Sequence, residues 1–246
     1  MSKQIRNLAK TVPVIFLLAT SLNSFASNKK IPGKLVDSGT FDIIVNGKRV
    51  ATETFEIAQE SDFNLAKGTL KTDEGNKESQ TYELEITPTG DLRRYEWNES
   101  GAAKGQTTVA PQNEFLVQRI TSASLQKPVE QPYVLPASTV VLDDYFFSQR
   151  ELLLWRYLGE NCAKRTDKGC PMPKTSYGVL VPRQRSSMSV SMEFKGRERL
   201  NIHGKDMELS RFDMHTENGD WSMWMDDLYK LQRITVDADQ TEVIRE

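Results

Sequence analysis

One stretch limits the fold more than any other: Tyr145 to Leu158 runs without a Gly or Pro in a chain that elsewhere alternates polar and apolar residues. Asp143 and Asp144 offer N-caps before it and Gly159 offers a stop, so the spacing predicts one helix of about four turns. Phe146, Phe147, Leu153, Leu154, Tyr157 and Leu158 share a broad face, which Ser148, Gln149, Arg150 and Glu151 interrupt early on. The second half, Leu152 to Tyr157, is apolar nearly all round. Such a helix needs cover on more than one side, and only the flanking sheet can provide it. A helix laid into a curved sheet is therefore expected.

The rest reads as strands. Phe41, Ile43 and Val45 alternate ahead of Asn46-Gly47, a strong hairpin signal, and Val50 to Ala58 returns as the partner. Strands at 68–72, 81–87, around Arg93 to Trp97, 106–110 and 114–122 complete a first block over 36–128, and Lys127 to Pro136 leads out to a helix region over 138–159. A second block spans 175–246. There Met188, Val190, Met192 and Phe194 lie on one face of a strand with Ser187, Ser189, Ser191 and Glu193 on the other. Further strands are expected at 197–202, 208–215, 220–225, 230–236 and 242–244. Short turns between successive strands imply antiparallel pairing. The fold class is α+β, mostly β: a long curved antiparallel sheet, or half-barrel, with one principal helix packed in its concave face.

Residues 1–26 have the build of a secretory signal peptide, with Lys3, Arg6 and Lys10, an apolar run from Thr11 to Leu22, and Ser24-Phe25-Ala26 as cleavage site. The apolar run is too short for a bilayer span. Residues 27–246 then form a single β-rich domain, periplasmic or secreted, with no transmembrane anchor after cleavage. Of 32 basic residues three leave with the leader, so 29 face 34 acidic ones, a balance that disfavours nucleic acid as partner. Cys162 and Cys170 are the only cysteines, and in an exported chain they are expected to join across a polar loop, 162–170.

The sequence carries no catalytic signature and no cofactor motif, and the expectation is a protein that is not an enzyme. His203 with Asp206, and Asp213 with His215, lack the spacing of a metal site. Asp143-Asp144 and Asp226-Asp227 read as cap and turn rather than as facing acids. The Arg183, Arg185, Arg197 and Arg199 group reads as a solvated face. The methionines of the second block suit either a plastic core or an apolar ligand groove, since Met is adaptable. The groove reading assigns its lining to Phe147, Leu154, Trp155, Met188, Met192, Phe194, Trp221, Met223 and Met225.

Trp221-Ser-Met-Trp224-Met-Asp226-Asp227, with Leu231-Gln-Arg233-Ile and Val243-Ile-Arg245, resembles the C-termini of secreted bacterial domains of unknown function with a curved antiparallel sheet. These are similar to the half-barrel of the periplasmic lipoprotein carriers. The resemblance implies a ligand-holding half-barrel that binds or carries a lipid or another apolar or amphipathic molecule, and the absence of a lipobox departs from the outer-membrane acceptor version and leaves a soluble periplasmic form. A structural partner in envelope assembly, its protein partner unidentified, is the alternative; an unrecognised enzyme is the third.

Overall fold

The computed structural model describes residues 33–73, 79–101, 104–143, 145–162 and 170–246. The leader over 1–26 lies outside these, as does Asp144. Eight strands come first: β1 (Lys34–Val45), β2 (Lys48–Gln59), β3 (Asn64–Thr72), β4 (Ser79–Ile86), β5 (Leu92–Glu99), β6 (Gly105–Gln112), β7 (Phe115–Ser122) and β8 (Val129–Tyr133). The short β9 (Val140–Val141) precedes helix α1 (Ser148–Cys162). Then follow β10 (Thr175–Val181), a 3₁₀ turn (Pro182–Gln184), β11 (Ser186–Ile202), β12 (Lys205–Thr216), β13 (Gly219–Met225), β14 (Leu231–Val236) and β15 (Thr241–Arg245).

The fifteen strands of the described residues form one open, curved sheet in the order β8 to β1, then β15 down to β9. Two meanders are thus joined where the first strand meets the last, with Phe41 opposite Arg245 and Val45 opposite Thr241. The Asn46-Gly47 turn places both residues at positive φ (51° and 74°), as a two-residue hairpin matched to strand twist requires. Pairing is antiparallel except at β9 and β10, which run parallel, Val140 beside Val179. The sequence reading expected antiparallel pairs throughout. The exception arises because α1 lies between β9 and β10 and carries the chain back to its starting end.

The helix touches both meanders. Phe146, just before it, meets the Tyr82 ring of β4 edge-on at 4.7 Å, and Tyr157 meets Phe212 of β12 at 6.0 Å. Leu153, Leu154 and Tyr157 are fully buried, so the sheet wraps α1 rather than merely supporting it. The wrapping brings distant strands together: the Leu92 N–H donates to the Ala137 carbonyl at 2.7 Å, and the Gln118 amide of β7 donates to Pro182 O at 2.7 Å.

Several boundaries differ from the sequence reading. The helix begins at Ser148, because Tyr145 takes a left-handed conformation (φ 62°) that breaks any earlier turn. It runs through Gly159 to Cys162, where the Asn161 side chain donates to Tyr157 O at 2.9 Å and Cys162 bonds Cys170. The segment expected to lead out at 127–136 contains β8, whose Pro132 is tolerated at a sheet edge. The expected strands on either side of Lys195 are one strand, β11, continued through a bulge at Gly196 (φ 121°), where the register with β12 shifts.

Candidate functional site

The first turn of α1 lies among polar groups. Ser148, Gln149, Arg150 and Glu151 are all buried, so they do not interrupt the apolar face from a solvated side. Among the described residues it is not Asp143 but Glu53 of β2 that caps the first turn. Its carboxylate accepts the Phe147 N–H at 2.6 Å, the Ser148 N–H at 3.3 Å and the Ser148 hydroxyl, while the Tyr82 hydroxyl sits 2.6 Å from the same Ser148 oxygen. An acid at a helix N-terminus satisfies orphan N–H groups and the helix dipole. Burial nonetheless outweighs these donors and raises the Glu53 carboxyl to about 7. Asp143, expected as the cap, instead accepts the Tyr95 hydroxyl at 2.6 Å and the Arg183 N–H at 3.3 Å.

A second group ties α1 to the seam between the meanders. Arg245 of β15 donates to both oxygens of buried Asp37 at 2.8 and 2.9 Å, Lys230 reaches Asp37 at 2.5 Å, and Glu151 lies 3.5 Å from Arg245. Burial first, and then the neighbouring Asp37 carboxylate, raise Glu151 to about 9, so it holds a proton at neutral pH. Asp37 itself is depressed: its desolvation is the largest single influence but is outweighed by hydrogen bonds from Glu151, Lys230 and Arg245. Two buried acids sharing one guanidinium thus settle into one protonated and one ionised member. Neither Glu53 nor Glu151 lines the cleft described below. Their role is to fix the helix.

The structure divides the residues assigned to a ligand groove. Leu154, Met192, Met223 and Met225 are packed in the closed core, at 0–1 % exposure. Phe147 is buried too, its ring 6.2 Å from that of half-buried Trp221. Met188 and Trp221 border a cavity of about 110 Å³ shared with Arg150 and Met214. Phe194 packs on Phe212 at 5.3 Å. Trp155 alone of the set lines the larger opening. The histidines are apart: His203 bonds Arg245 O in the turn before β12, and His215 sits beside Asp220 at the strand's far end. Among the described residues no three His, Cys, Asp or Glu side chains converge as a metal site.

That larger opening is a cleft of about 730 Å³ at the C-terminal half of α1. Leu152, Trp155, Arg156, Gly159 and Glu160 face it, a spacing of 0, 3, 4, 7 and 8 that marks a single helical face. Opposite stand Val36 and Ile57, Ile86 at the end of β4, and the turn Thr87 to Asp91. Arg156 clamps this turn, donating to Gly90 O at 3.2 Å, to Ser138 O at 2.8 Å and to Glu160 at 2.7 Å. Gly90 (φ 89°) takes a backbone conformation that favours glycine, and a Cβ there would press on the Arg156 side chain at 3.0 Å.

On the cleft wall Val36 is 45 % exposed, and the loop between β13 and β14, which Trp155 touches, presents Leu228 at 74 % and Tyr229 at 62 %. This loop is held rigidly: the Asp226 carboxylate accepts the N–H groups of Leu228 and Lys230 at 2.8 and 2.9 Å, and the Trp155 indole donates to Tyr229 O at 2.6 Å. Sequence reasoning missed the cleft because its walls come from four strands, a turn and a helix face. Only the helix half of the pattern, Leu152 to Glu160, could have been read locally.

No family model matches the chain, and no curated protein matches it. Among solved structures it is similar to the crystal structure of a β-barrel-like protein of the domain of unknown function DUF1849 from Brucella abortus. The identity is 6 % and the TM-score 0.50, over 85 % of this chain and 94 % of that one. At that identity the likeness concerns the fold alone: a mostly β, barrel-like curved sheet with one helix.

Proposed function

We propose that this chain is an exported periplasmic protein, and not an enzyme, that binds or carries an amphipathic molecule in the cleft beside the C-terminal half of α1. One observation carries the reading. A cleft of about 730 Å³ with an apolar floor and a polar turn along one wall opens beside the C-terminal half of α1, several times the volume of the 110 Å³ cavity at Met188 and Trp221. Its volume falls in the range of small-molecule sites, roughly 300–1,000 Å³. Val36, Ile57, Ile86, Leu152 and Trp155 would take an apolar chain, and Thr87, Thr89 and Asn64 a polar head. The barrel-like fold supports the reading, and the leader-like residues 1–26 support export. The site differs from the methionine face, whose central members Met192, Met223 and Met225 are fully buried.

Gly159 allows a clean test. It lines the cleft, and a Cβ built on it meets nothing within 4 Å. Gly159→Phe therefore fills space without overpacking the core, and replacing a helical glycine gains on the order of 0.5 kcal/mol. The expected outcome is unchanged or slightly raised thermal stability with loss of binding of the apolar fluorophore N-phenyl-1-naphthylamine. Undiminished probe binding by a folded Gly159→Phe protein would move the site elsewhere.

A further inference from the structure

The charges around the cleft select among amphiphiles. We infer that it takes an amphiphile whose headgroup carries a positive charge, and that it discriminates against anionic headgroups; this rests on the cleft being the binding site.

Among its described lining residues Arg156 is the one cation, against Asp91 and Glu160. The guanidinium of Arg156 is already committed, to Glu160, to two backbone carbonyls and to the Tyr177 ring, whose centroid is 5.4 Å away. An anionic headgroup would have to displace the Glu160 pair, which the Tyr177 hydroxyl also holds, at 2.8 Å. Lys230 is paired with Asp37 at 2.5 Å. Asp91 is different. It is half-buried in the turn that walls the cleft, its one described side-chain contact is a long one with the Thr89 hydroxyl (3.4 Å), and no described cation pairs with it. A carboxylate beside an apolar floor favours a ligand that brings an ammonium group to that position. The desolvated acid is thereby neutralised, and an anion would meet repulsion instead.

Three probes with the same tail separate the terms when titrated calorimetrically below their micellar concentrations into the full mature chain: dodecyltrimethylammonium, dodecyl maltoside and dodecanoate. The ammonium probe is expected to bind about tenfold more tightly than dodecanoate, with the maltoside between them. Asp91→Asn should reduce the ammonium advantage over the maltoside to nothing. Because that variant could disturb the turn, the salt dependence of the parent is a second readout: ammonium binding weakens with added salt and maltoside binding does not. Equal binding of the three probes, or preference for dodecanoate, overturns the charge inference while leaving the cleft as the site. Binding of none of them overturns the cleft reading and this inference together.

Discussion

Glu53 shows how a buried side chain can set a property of the whole helix. Its carboxyl titrates near 4.5 when unfolded and at about 7 when folded, so between these values the folded state binds more protons than the unfolded one. Stability contributed by this residue is fully present below 4.5 and is lost as pH rises through 7, by an amount on the order of 3 kcal/mol. Glutamine resembles the protonated carboxyl, with an oxygen to accept the Phe147 N–H and an amide to face Ser148. Glu53→Gln should then match the parent within about 1 kcal/mol at pH 5 and exceed it at pH 8. Urea unfolding at the two pH values checks this; a variant less stable than the parent at pH 8 would mean that the donors around Glu53 outweigh its burial and that its carboxyl is not raised in the fold. None of this was legible in the sequence. Ser148 to Glu151 looks like a polar break in the apolar face of the helix, and its partner lies 95 residues earlier, at the charged position on the strand face that Glu53 shares with Ala51, Phe55 and Ile57.

Among the elements, those whose signal is local were legible. The Asn46-Gly47 hairpin, the alternation of Met188, Val190, Met192 and Phe194, and the apolar half of α1 each carry their pattern within a few residues. The Cys162–Cys170 bond followed from two isolated cysteines eight residues apart. Helix bounds and the long β11 were not, because Tyr145 and Gly196 adopt positive φ for reasons of tertiary fit. The burial of α1 has a direct consequence: Leu154→Ala should cost about 2–5 kcal/mol through lost transfer energy and a residual cavity. Met192 is fully buried in the same core cluster, so Met192→Trp should destabilise by about 1–3 kcal/mol through overpacking. Chemical denaturation of both variants provides the check, and a cost below about 0.5 kcal/mol for either would place that residue beside open space.

Across the whole molecule, the decisive feature is the seam between β1 and β15, which joins strands about two hundred residues apart and closes two meanders into one curved sheet. Patterning predicted the strands, the sheet's curvature and the enclosed helix; it could not predict this join, which no local residue pair announces. The cleft itself is walled by β1 to β4, the Thr87 to Asp91 turn and α1, while the seam ties β1 to the second meander through the Lys230–Asp37 pair beside it. Met192, Met223 and Met225 are fully buried in the core, and the larger opening lies at the cleft end. Native mass spectrometry of the protein purified from its own compartment tests this account most directly. It predicts a lipid-sized adduct on the parent that is absent from equally folded Gly159→Phe. A bare mass for the parent, or the same adduct retained by Gly159→Phe, would contradict it.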